Sequence, residues 1–94
     1  MSARITRQQL EAVVTRINVI TGNRTNPYTK GEDGKFRANV GCYHLDGAYG
    51  GWALYRMNCE SGSVNDIFQM GHVSKLDLYR ALHAFLAGIE AKNV

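Results

Sequence analysis

The chain has 94 residues, 45% hydrophobic and 20% charged, with a formal net charge of +3. That length suits one domain, and that balance suits a folded globule and not a disordered tail. A charge of +3 is too weak alone to mark a nucleic-acid binder, and no apolar run approaches the ~18 residues a membrane span needs.

The first predicted element is a helix. Thr6 and Gln9 have the spacing of a capping box, and Ile5 and Leu10 that of a hydrophobic staple. Leu10, Val13, Val14, Ile17 and Ile20 recur at helical spacing as one buried stripe, and Gly22 supplies a left-handed stop. Residues 22–34 are polar and turn-rich, with Asn26-Pro27 and Asp33-Gly34 as turn signals and Tyr28-Thr29-Lys30 as a short edge strand.

Strand pattern follows over Phe36–Leu45, Trp52–Asn58 and Val64–Phe68, with short connections that favour an antiparallel meander. Ser74 and Asp77 start a second helix as another capping box, and Leu78, Leu82, Phe85, Leu86 and Ile89 make its inward stripe. Gly88 interrupts that pattern and predicts fraying. The expected fold is α+β in the order α-β-β-β-α: a three-stranded antiparallel meander, with two helices packed on one face, as a single domain over 1–94.

Seven of the eleven basic residues but only three of the eight acidic ones fall within residues 1–37, so the positive field belongs to that third. The MSARITRQQ start lacks the apolar core of a secretory signal, and two sparsely placed cysteines suit a reducing compartment. The expected location is the cytoplasm.

The densest functional stretch runs from Val40 to Met57. Neighbouring strand residues point to opposite faces, so Trp52 and Leu54 share one side while Ala53, Tyr55 and Met57 share the other. Both sides are apolar or aromatic. If two helices cover one, the other meets a partner, binds a ligand or lies beneath loop 22–34. Tyr43, Tyr49, Trp52, Tyr55 and Arg56 are the expected partner-binding residues.

Tyr49-Gly50-Gly51 suits a hairpin turn better than a phosphate loop, because no G-x-x-x-x-G-K-S/T or G-x-G-x-x-G accompanies it. Cys42, His44, Cys59, His72 and His83 lack the paired spacing of a metal site, and no metal or cofactor is expected. A hairpin folded about Ala48-Tyr49 keeps Cys42 and Cys59 from facing each other, which argues against a disulfide. Neither Cys42 with His44 nor Ser74 with His72 shows a third group to orient a base, so no enzyme is expected.

The run from Gly34 to Gly41, followed by Tyr43-His44-Leu45, Ala48-Tyr49-Gly50-Gly51, Gly71-His72-Val73 and Leu78-Tyr79, resembles a group of small uncharacterised proteins encoded by tailed bacteriophages and prophages. That resemblance, over residues 6–88, implies a viral protein made inside a bacterium, and such proteins often act by binding. The α-β-β-β-α order also resembles the double-stranded RNA-binding domain, whose last helix grips phosphates with basic residues at its start. Only Lys75, with Arg80 beyond it, stands there in this chain.

The leading expectation is therefore a phage accessory protein that binds a host or phage protein, or a second copy, through an aromatic sheet surface. One alternative is a nucleic-acid-binding module using Arg4, Arg7, Arg16, Arg24 and Arg37, with Tyr28 or Tyr49 for stacking. Another is a small-ligand or nucleotide sponge built on the Tyr49-Gly50-Gly51 loop.

Overall fold

The computed structural model describes residues 4–92. Helix α1 spans Arg7–Thr21 and begins as its capping signals require. The Gln9 N–H donates to Thr6 Oγ1 at 3.1 Å, and the Thr6 N–H donates to Gln9 Oε1 at 2.8 Å. At the other end Gly22 adopts φ 78°, and its N–H and that of Asn23 return to carbonyls of the last turn.

Two small antiparallel sheets follow. Strands β1 (Tyr28–Lys30) and β2 (Phe36–Ala38) form one; β3 (Tyr43–Ala48), β4 (Gly51–Met57) and β5 (Val64–Asp66) form the other, in spatial order β3-β4-β5. The meander and the short strand at Tyr28 follow the sequence pattern. The single strand expected over Phe36–Leu45 is instead divided between the two sheets. Gly41 takes φ 91°, the Cys42 N–H closes a turn onto the Asn39 carbonyl, and the Asn39 side chain ties back to Asn26 and Thr29. That turn ends one ladder before the next begins.

The hairpin register also differs from expectation by one step. Ala48 pairs with Gly51, so the chain reverses about Tyr49-Gly50, not Ala48-Tyr49. Face assignments are unchanged, because this shift preserves which residues alternate. The last strand stops at Asp66, short of Phe68, although Ile67 still donates to the Leu54 carbonyl.

Helix α2 (Lys75–Lys92) continues through Gly88 without fraying there. Its capping box is half formed: Ser74 Oγ accepts from the Asp77 N–H at 3.1 Å. The two helices pack on one face of the three-stranded sheet. Leu10, Val13, Val14 and Ile17 of α1 meet Leu78, Leu82 and Leu86 of α2 over Leu54, with Tyr43, Leu45 and Trp52 at the margin.

Arg7 stands near Trp52 and Val73 bridges to Trp52, whereas Arg16 reaches Glu90. The helices therefore run side by side in the same direction, and both N-termini lie at the hairpin-tip end. On the opposite sheet face, Ala38, Cys42 and Met57 form a second, smaller core.

Candidate functional site

The β3–β4 hairpin ends in a two-residue loop with positive φ at both positions, 54° at Tyr49 and 73° at Gly50. This is the type I′ geometry, whose twist matches that of the flanking strands and whose first position favours Asn, Asp or Gly. A tyrosine there carries the left-handed penalty of an ordinary L-residue, of order 1 kcal/mol. Its side chain is 96% exposed. The His72 ring lies edge-on with centroids 5.5 Å apart yet covers almost none of it.

Behind the tip, the outer face of the sheet carries a polar aromatic cluster. His72 Nε2 lies 2.7 Å from Asp46 Oδ2, with the His72 side chain only 13% exposed. Tyr55 on β4 stands edge-on to both His44, its partner across the ladder, and His72. Burial, with the Asp46 and Asp66 carboxylates and Tyr49 beside it, holds the Tyr55 hydroxyl above the ordinary tyrosine pKa. Burial pushes the His44 imidazole below its ordinary value, and its Nε2 is buried without a hydrogen-bond partner.

The helix-facing side presents a different surface at the same end. Trp52 lies against Gly47, its partner on β3: a Cβ at Gly47 would come within 3.1 Å of the indole ring. The Arg7 guanidinium stands 5.5 Å from the ring centroid and pairs with Glu11 at 2.9 Å. A groove of about 480 Å³ opens beside Trp52, lined also by Arg4, Ile5, Gly50, Lys75 and Leu76, with the N-cap Ser74 at its edge.

The five expected partner-binding residues do not form one surface. Tyr43, Trp52 and Arg56 lie on the helix-facing side; the Arg56 guanidinium stands 5.6 Å from the Tyr43 ring centroid, and the Tyr43 and Phe85 rings meet edge to face. Tyr55 points to the outer face, and Tyr49 projects from the tip. Strand alternation imposes this division. Of the hairpin's aromatic rings, Tyr43, Trp52 and Tyr55 are half-buried and Tyr49 is exposed, while Ala53 and Met57 on the outer face are buried.

The five arginines of the nucleic-acid alternative are dispersed. Arg16 is paired with Glu90 and Arg37 with Asp33. Helix α1 separates Arg7 from Arg24 by roughly 22 Å of helical rise. Among the described residues no group of three or more His, Cys, Asp or Glu side chains could hold a metal ion, and no helix is long and apolar enough to cross a membrane. Cys42 and Cys59 are free thiols, the former buried and the latter at the β4–β5 turn.

Sequence reasoning missed the Asp46–His72 pair and the roles of Ile5, Lys75 and Leu76. The Ser74 cap could have located the last two, because it puts them at the exposed start of α2. Set against models of known protein families, curated proteins and solved structures, the chain matches none of them.

Proposed function

We propose that this chain is a phage-encoded accessory protein, active inside the host cell, that works by binding a protein partner through the tip of the β3–β4 hairpin. One observation carries the reading: a fully exposed tyrosine occupies a left-handed turn position where asparagine or glycine would be more stable. Retaining an unfavourable side chain at an exposed turn is explained by what that side chain touches in a complex. Tyrosine supplies large contact area at low entropic cost and is enriched where interfaces are tightest.

In this reading the outer face is the brace and not a reaction centre. Asp46 orients His72, whose ring supports Tyr49 and Tyr55 from behind. The phage provenance rests on the sequence resemblance alone. Nucleic-acid binding is the weaker reading, since Arg7, Arg16 and Arg37 already hold carboxylates and the five arginines line no common stripe.

Affinity capture from bacterial lysate tests the proposal. The wild-type chain should retain a protein that Tyr49→Ser loses and that Arg37→Glu, on the other sheet, keeps. Equal capture by wild type and Tyr49→Ser would reject it. Multi-angle light scattering of the purified chain separates a second copy from a foreign partner.

A further inference from the structure

The groove beside Trp52 has a composition that specifies an occupant. Its floor is apolar: Ile5 and Trp52 are half-buried at the margin of the core, and Leu76 is 45% exposed. Arg4 and Lys75 make its lining basic as well, and neither is in an ion pair among the described residues. Neither Glu11, one turn into α1, nor Asp77, on the first turn of α2, lines it. Both helices also direct their N-termini here, which adds positive potential to that of the side chains.

We infer that this groove receives an acidic, extended segment of the partner protein. One apolar side chain of that segment rests on Ile5, Trp52 and Leu76, and its flanking carboxylates meet Arg4 and Lys75. The inference rests on the hairpin-tip reading and deepens it, because Gly50 lines the groove and adjoins Tyr49 in the turn. Charge complementarity of this kind steers encounter and selects the partner.

A peptide fits better than a nucleic acid. Base stacking needs a free aromatic face, whereas the Trp52 ring is already engaged by Gly47 and by the Arg7 guanidinium. The floor offers Ile5 and Leu76, which suit an aliphatic side chain.

Trp52 is the only tryptophan, so its emission reports on the groove directly. The probe is a short peptide with a single Leu between acidic residues, titrated at low and at moderate salt. A saturable change in Trp52 emission is expected, weakening with salt and weakened about tenfold or more by Arg4→Glu combined with Lys75→Glu. Arg37→Glu should leave it unchanged, and circular dichroism should show every variant folded.

The inference is overturned by no saturable change at low salt. It is equally overturned by undiminished affinity in the doubly reversed variant, or by tighter binding of a single-stranded oligonucleotide than of the peptide. Lysate capture distinguishes the two proposals. A doubly reversed variant that still captures the partner removes the groove and leaves the hairpin tip standing. Peptide binding that survives in a Tyr49→Ser variant deprived of its partner supports the groove as a separate contact.

Discussion

His44 shows how one side chain couples the outer face to solution conditions. Its Nε2 is buried without a partner, and burial holds its pKa below the ordinary histidine value. The unfolded chain, with an ordinary imidazole near pH ~6.5, therefore takes up a proton before the folded one does. The stability due to a neutral His44 is fully present above that pH and is lost as pH falls toward the depressed folded value. The Leu45 backbone, and then the Asp46 carboxylate on the same strand face, oppose the shift without cancelling it. Urea denaturation between pH 7.5 and 5 should show a steeper loss of stability in wild type than in His44→Phe; parallel curves would assign the loss to other groups. Nothing in the spacing around His44 announced this, because its burial comes from the fold.

Between elements, the clearest joint is Asn18, a polar residue 1% exposed on an otherwise apolar helix face. Its Nδ2 donates to the Tyr43 carbonyl at 2.9 Å, and its Oδ1 accepts the Tyr43 N–H at 2.8 Å. The side chain thus satisfies both backbone groups of one residue on the open edge of β3 and locks α1 to the sheet. Asn18→Ala leaves both without their partner and should cost roughly 2–3 kcal/mol in chemical denaturation, whereas Asn65→Ala on exposed β5 should cost under about 0.5 kcal/mol. Comparable losses would show that water replaces the bonds at Tyr43.

Most element boundaries were legible because their signals are local. The Thr6–Gln9 box, the Gly22 stop and the two helical stripes need only neighbours in sequence. The alternation that assigns Trp52 and Tyr55 to opposite faces survives even an error in the turn centre. The division at Asn39–Gly41 was not legible. A glycine within an apolar strand pattern marks a bulge as readily as a break between two ladders, and the anchoring bonds from Asn39 run to residues 26 and 29. The Asp46–His72 pair was hidden similarly: 26 residues separate its members, and His72 lies in the irregular segment between β5 and α2.

At the scale of the molecule, parallel helices on one sheet face gather several features at a single end. Both helix N-termini, the basic side chains Arg4 and Lys75, the indole of Trp52 with the Glu11-paired Arg7 beside it, and the hairpin turn all converge there. This gathering emerges only when the chain folds. In the proposed reading that end is the working surface, and Tyr49 is kept there at the expense of stability.

Thermal unfolding of Tyr49→Asn, run beside lysate capture with the same protein, tests that trade most directly. Asparagine followed by Gly50 is a favoured type I′ pair, so the variant should gain about 0.5–1 kcal/mol, or roughly 2–6 °C in Tm, while losing the captured partner. A variant that melts lower than wild type, or one that melts higher and still captures the partner, would contradict the account.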